Sequence, residues 1–375
     1  MFYKNCRLFA GDLHFHIGAF EVTEDGRFGQ VLPEAVPEDA VDLGGATVIP
    51  GLIDVHIHGA AGEDISDSSV QGLHIMGSFL AESGITSYLP ATVSQPYPVL
   101  EKSFLAAKQA AETSDDRCAR LLGVHMEGPF FSYGKRGAHN PAHLRNADFS
   151  AFEQLQKSCG NIVKIADVAP ELPGGMDFIR QAKELCTVSV AHTCADYSAA
   201  SAAFAAGATH LTHLFNGMPS LHHREPGVIA AAAENKNVRA ELICDGMHVH
   251  PSMVRLAFSM FPDRIMIISD ALRCCGLPDG EYTTGDQTCI LSDGIARLTD
   301  GTICGAATNI YDGLRNVLSW GIEEEVAVRA ATWNPACAIG VETQVGVIAP
   351  GAWADFLVCS LDYSEKQVYL GGKLL

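Results

Sequence analysis

The sequence predicts an α/β fold, a (β/α)8 TIM barrel carrying a small β-sandwich domain formed from the N- and C-terminal segments. Three observations predict it. Between about residues 50 and 340, eight apolar, β-branched runs alternate with Ala-, Leu-, Glu- and Lys-rich stretches suited to helices. Those runs are apolar throughout rather than at every second residue, as expected of parallel strands buried on both faces. Both ends of the chain are β-rich, and neither is long enough for a core of its own.

The elements follow in order. The start reads as short strands at 2–9, 14–17, 19–22 and 46–49, divided by Gly11, Gly18, Gly26, Gly29 and the Gly44-Gly45 pair. The eight barrel strands are expected at 48–58, 85–92, 121–127, 162–169, 188–192, 209–214, 240–245 and 265–270. Helices are expected between them at 70–83, 98–112, 150–158, 175–185, 197–206, 227–235 and 251–260. A Gly-rich excursion covers 276–305, and helices follow from about 309 to 320 and from 323 to 338. The tail reads as strands at 355–359 and 367–370, with Gly371-Gly372 as a hairpin turn. The barrel span fits the roughly 250 residues typical of that fold plus an insertion. An open doubly wound sheet is the alternative, but no Gly-x-Gly-x-x-Gly opens a helix, and eight strands favour closure. Pro50-Gly51 and Pro350-Gly351 stand near the expected cuts: 1–49 plus 346–375 for the sandwich, 50–345 for the barrel.

Composition excludes several function classes. The 375 residues are 47% hydrophobic and 18% charged, which is globular composition. With 25 Lys and Arg against 44 Asp and Glu, the net charge of −19 argues against gripping phosphate backbones or anionic membranes. No run reaches the ~18 apolar residues that span a bilayer. The first residues lack the apolar core and cleavage site of a signal peptide, so a cytoplasmic protein is expected. Twelve cysteines with no Cys-x-x-Cys pair then read as buried free thiols.

Chemistry is expected at the C-terminal ends of the strands. Strand one ends Asp54-Val55-His56-Ile57-His58, and two residues apart on a strand means the same side. Strand three ends His125-Met126-Glu127, strand five Ala191-His192 and strand six Thr212-His213. Strand seven runs into Asp245-Gly246-Met247-His248, and strand eight ends Ser269-Asp270. A lone strand-end histidine is more often a satisfied core or loop residue. Here four histidines and two carboxylates from five strands converge on one mouth, and burying so many ionisable groups without a cation would be costly. Neutral imidazole plus carboxylate is a ligand set for zinc or iron. A metal there would lower the pKa of water toward ~7, and a nearby carboxylate could move protons. Asp270 is the candidate. The chemistry implied is metal-assisted hydrolysis of an amide or related C–N bond.

The motifs carry a resemblance. The segment Pro50-Gly51-Leu52-Ile53-Asp54-Val55-His56-Ile57-His58-Gly59 resembles the opening signature of the amidohydrolase superfamily. Further segments are His125-Met126-Glu127-Gly128-Pro129-Phe130, Gly137-Ala138-His139-Asn140-Pro141 and His213-Leu214-Phe215-Asn216-Gly217-Met218. With them come Arg224-Glu225-Pro226-Gly227, Asp245-Gly246-Met247-His248 and Ser269-Asp270-Ala271 followed by Gly276-Leu277-Pro278-Asp279-Gly280-Glu281-Tyr282. In that order, over essentially the whole chain, the series resembles the N-acetylglucosamine-6-phosphate deacetylase family.

The resemblance implies that Glu127, His192 and His213 bind one divalent metal, zinc or else iron, and that His56 and His58 bind a second, with Glu127 bridging. One or two ions per subunit are expected, since some members lack the His pair. It implies Asp270 as general base and acid, and His139, His248, Asn216 and Gly217 as substrate contacts. Arg224 would bind the phosphate of a phosphorylated amino sugar, across the interface of a homodimer. Guanidinium suits that task, although a surface ion pair with Glu225 is the plain alternative. Ala306 stands where the family often has Ser, and His223 where relatives often have Gly. Two rival readings remain. Dihydroorotases, hydantoinases and D-aminoacylases often bridge two metals with a modified Lys at the end of strand four. Here that strand ends Val168-Ala169-Pro170-Glu171, with Lys164 too near its start. A non-catalytic ligand-binding barrel would be expected to have lost a metal ligand or the proton-transfer carboxylate, and none is missing.

Overall fold

The computed structural model describes residues 1–375. Its architecture is mixed α/β, and two parallel sheets lie at its centre. One has three strands, ordered Arg120–Leu121, Ile85–Pro90, Leu52–Ile57. The other has six, in chain order: Val124–Met126, Val163–Val168, Thr187–Val190, His210–Leu211, Arg239–Ile243 and Ile265–Ile268. A parallel bridge between Ala91 and His125 links the two. At the other edge the Asp270 amide donates to the His56 carbonyl, so the last strand meets the first.

Helices pack outside the strands, and side-chain caps explain where several begin. Ser69 accepts from the Gly72 amide at the head of Val70–Glu82, and Asp148 and Asp196 do the same for Phe149–Ser158 and Tyr197–Ala206. The expected helix 323–338 is two, Glu324–Ala331 and Trp333–Ala338, broken at Thr332. Pro335 has no N–H to give to a continuous helix. No helix is long and apolar enough to cross a membrane.

Several expected strands are subdivided or shortened, three of them most clearly. The run 48–58 is divided at Gly51: Thr47–Pro50 pairs with Phe356–Cys359, whereas Leu52–Ile57 pairs with Ile85–Pro90. A side chain at Gly51 would put its Cβ 2.0 Å from Thr86 Oγ1, so only glycine passes there. The run 121–127 is interrupted at Leu122-Gly123. The run 209–214 is only His210–Leu211, because His213 (φ +29°) and Phe215 (φ +79°) turn left-handed. Conversely, Gly18 does not break its strand, which runs Phe15–Val22.

Segments from both termini join one eight-stranded sheet. Its side chains enclose a second core that includes Tyr3, Phe20, Phe28, Phe356 and Tyr369. Phe356 and Tyr369 stack at 4.4 Å. The excursion after the eighth parallel strand is itself ordered, as a four-stranded antiparallel sheet from Gly280–Thr284 to Ile303–Ala306. It has its own buried cluster around Cys274, Cys289, Leu291 and Cys304. All twelve cysteines are unpaired.

Candidate metal centre and active site

The expected ligand residues sit where strands end. His192, His213 and Asp270 have φ of +42°, +29° and +51°. Each leaves its strand in the left-handed region, which turns the side chain onto the mouth. Such backbone costs about 1–3 kcal/mol and persists only where surroundings enforce it.

Glu127 is the hub. His192 and His213 approach its Oε1 through Nε2 at 3.1 and 3.2 Å, and their two Nε2 atoms are 3.0 Å apart. His58 Nε2 lies 3.5 Å from Oε2, and His56 Nε2 3.7 Å from Oε1. Asp270 Oδ1 lies 3.1 Å from His58 Nε2 and 3.6 Å from His56 Nε2. All six residues are buried.

The other ring nitrogen of each histidine fixes its tautomer. His58, His192 and His213 donate from Nδ1 to the carbonyls of Ala91, Lys135 and Asn216. His56 donates from Nδ1 to Glu241. With Nδ1 committed as donor, Nε2 is the ring atom turned toward Glu127, and its lone pair becomes available to a metal once any proton there is lost. His56 Nε2 has no hydrogen-bond partner although it is buried. The triads His56–His58–Glu127 and Glu127–His192–His213 each bring three donor atoms within 4.8 Å of one another. The residues thus fit divalent cations at two adjacent positions.

His139 is wired the opposite way. Its Nδ1 accepts from the Ser94 amide, so its proton is on Nε2, 3.2 Å from Glu127 Oε2. It faces the same hub as a donor and not as a ligand.

Titration follows this geometry. Burial penalises charge on His58 and His213, but the neighbouring carboxylates outweigh it and push both up to about 9. Burial dominates at His192, which falls to about 4. Burial raises the Asp270 carboxyl, yet the His58 hydrogen bond and the charges of His56 and His58 bring it down to about 2. Glu127 lies well below the ordinary carboxyl range: burial opposes this, and His139, His192 and His213 outweigh it.

A cavity of about 180 Å³ opens on this cluster. Asn216, Gly217 and His248 line it, as do Thr284, Ile303 and Cys304 from the four-stranded sheet. His248 donates from Nδ1 to Asp245 at 2.6 Å and keeps a buried, unpartnered Nε2. Gly217 has φ +61°, and a Cβ there would lie 2.9 Å from His192 Nδ1, so the loop can approach the ring only as glycine. Arg224 is not brought in. It is exposed, bonded to His223 Nε2 at 2.7 Å, and outside the cavity wall. Ala306 is buried and joins the site through backbone alone, exchanging hydrogen bonds with Asp270 and Leu272.

Beneath the candidate ligand residues lies a further layer, of which sequence reading singles out only His125, at the end of strand three. Glu241, His210, His125 and Asp167 are all fully buried. His125 donates from Nδ1 to the Val55 carbonyl and from Nε2 to Asp167, which makes it an imidazolium; burial opposes the charge, but Asp167 pushes it up to about 10. The signal for Glu241 was present: it is the one charged side chain in the apolar run Ala240-Glu241-Leu242-Ile243-Cys244.

Comparison with known proteins agrees with the geometry. The amidohydrolase family model matches residues 47–375. The chain is 34% identical to the N-acetylglucosamine-6-phosphate deacetylase of Vibrio furnissii, over 90% of this chain and 85% of that one. It is 37% identical to the enzyme of the same name from Bacillus subtilis, over 84% and 81%. Among solved structures, a variant N-acetyl-D-glucosamine-6-phosphate deacetylase from Mycobacterium smegmatis, in complex with N-acetyl-D-glucosamine 6-phosphate, superposes with a TM-score of 0.93 at 29% identity, covering 100% of this chain and 98% of that one.

Proposed function

The chain belongs to the amidohydrolase family, and from that premise we propose that it hydrolyses N-acetylglucosamine 6-phosphate to glucosamine 6-phosphate and acetate. The observation that carries this reading is the cluster around Glu127: four imidazoles with Nδ1 committed and Nε2 turned inward, one presenting an N–H at Nε2, and Asp270 facing them. Sequence likeness to named deacetylases over most of the chain supports the substrate.

Glu127, His192 and His213 would hold one ion, and His56 and His58 a second bridged by Glu127. Imidazole and carboxylate suit zinc, with ferrous iron as the alternative. A bound ion supplies Lewis acidity and lowers the pKa of water toward ~7. Asp270 stays ionised across the neutral range and so can accept a proton. It takes the proton of the attacking water and returns it to the departing amine, as one group acting as base and then acid. His139 directs its Nε2–H at the carbonyl oxygen as negative charge develops there. His248, Asn216 and Gly217 orient the sugar. Arg224, outside the cavity of its own chain, binds the phosphate from the partner subunit of a homodimer.

We read the two parallel sheets as one closed (β/α)8 barrel over 50–345, with 1–49 and 346–375 forming the small β-sandwich domain. The bridge from Ala91 to His125 and the bond from Asp270 to His56 support closure. A cytoplasmic location suits a phosphorylated sugar. The test is acetate release by metal-replete protein from the 6-phosphate beside the unphosphorylated sugar. Release from the phosphate ester, and far slower release from the free sugar, is expected. Release from neither, with metal bound, would redirect the assignment to cyclic amides and N-acyl amino acids.

A further inference from the structure

Glu241 is fully buried on the strand Arg239–Ile243, in a layer that no substrate reaches. Its carboxylate takes three hydrogen bonds. Oε2 accepts from His56 Nδ1 at 2.8 Å and from the His213 amide at 3.1 Å, and Oε1 accepts from His210 Nε2 at 2.8 Å. His125 Nδ1 stands 3.7 Å from Oε1, but its proton goes to Val55. Glu241 thus touches both halves of the cluster, one through a ring and the other through backbone.

Each contact has a physical consequence. An imidazole with its proton on Nδ1 has its lone pair on Nε2, and His56 Nε2 is the buried ring atom left without a partner beside Glu127 and Asp270. Without an acceptor below it, the ring could carry its proton on Nε2 and would then present a donor to a cation. The His213 amide belongs to a residue at φ +29°, where a side chain is disfavoured. A charged acceptor on that amide holds the turn that aims the ring at Glu127.

We propose that Glu241 is the positioning residue of this centre: it selects the Nε2-ligand tautomer of His56 and pins the His213 turn, and the ion position at His56 and His58 depends on it. The proposal rests on the metal reading above. Asp167 supplies the control. It is equally buried in the same layer and bonds His125 and Thr212, but neither His56 nor His213.

The experiment compares wild type, Glu241→Gln and Asp167→Asn, all checked for folding by circular dichroism. Zinc affinity is measured by chelator competition, and ring tautomers by 15N NMR of metal-free protein labelled at histidine. Glu241→Gln keeps the volume but replaces one carboxylate oxygen by an amide donor. It is expected to weaken zinc at the His56–His58 position roughly 10–100-fold, the usual cost of losing a partner behind a ligand. The His56 nitrogen signals should lose the pattern of a single Nδ1–H tautomer. Asp167→Asn should leave both readouts near wild type. Unchanged affinity and tautomer in Glu241→Gln, or equal losses in both variants, would overturn the proposal. Should His58→Ala bind as much zinc as wild type, the second-ion reading fails; the part of the proposal that concerns that ion falls with it, and the 15N pattern of Glu241→Gln alone decides the tautomer role.

Discussion

Asp270 stands where the last parallel strand ends, in a left-handed turn, with its Oδ1 facing both His56 and His58. Its neighbours stabilise the charged form, which suits the proposed role of base. Asp270→Asn keeps the size and most hydrogen bonds while removing the proton acceptor. We expect that variant to retain its metal and its fold and to lose about 10²–10⁴-fold in kcat, the usual worth of general acid–base catalysis. Metal analysis beside steady-state kinetics checks it, and near-normal turnover would exclude Asp270 from proton transfer. His139 and its neighbours differ at the same scale by one hydrogen bond: an amide donor at Nδ1 makes it a donor at Nε2, whereas carbonyl acceptors at Nδ1 leave Nε2 of His58 and His192 as the atom free to ligate.

Among the elements, loops after the strands shape the site. The loop carrying Asn216 and Gly217 lies against the His192 ring, and no Cβ fits at Gly217. Gly217→Ala is expected to destabilise the protein by about 1 kcal/mol or more through its positive φ, and to lower zinc affinity by displacing His192. Chemical denaturation and chelator competition read the two effects, and unchanged affinity would mean that the ring is held by Lys135 alone. The four-stranded sheet after the eighth parallel strand is a wall of the cavity. It brings Thr284, Ile303 and Cys304 to residues more than 30 positions earlier in the chain, such as His213 and His248.

For the whole molecule, protons and metal compete for the same nitrogens. The folded-state values of His58 and His213 lie near 9, above the ordinary 6.5 for imidazole. In metal-stripped protein, the stability they contribute is full below about pH 6.5 and is lost as pH rises through about 9. The melting temperature of stripped protein is therefore expected to fall over that window. Zinc uptake near pH 7 should release protons, visible as binding heats that depend on the buffer's ionisation enthalpy. Buffer-independent heats would refute the proton linkage. Arg224 reaches no part of its own chain's cavity, so its proposed phosphate role runs through a partner subunit. Arg224→Ala should raise KM for the phosphorylated substrate roughly 10–100-fold, from about 1.5–3 kcal/mol for a charged hydrogen bond, and leave KM for the free sugar alone. Equal effects on both would remove its phosphate role.

The sequence by itself determined the alternation of strand and helix and the chemistry-bearing strand ends. Apolar β-branched runs and helix-capping residues act locally, and His-x-His puts two rings on one side of a strand whatever surrounds it. It also marked Gly51 and the glycines near His192 without saying why they were needed. Only the tertiary structure decided what those side chains do. Whether a histidine is a ligand or a donor depends on the partner of its other nitrogen, and those partners (Ala91, Lys135, Asn216, Ser94, Glu241) come from other strands and loops. The strands proved shorter than their apolar runs because the left-handed turns at His192, His213 and Asp270 leave no mark in hydrophobicity. Glu241 was visible as a lone charge in an apolar strand, but its role lies in contacts with residues 28 to 185 positions away, which no local pattern encodes.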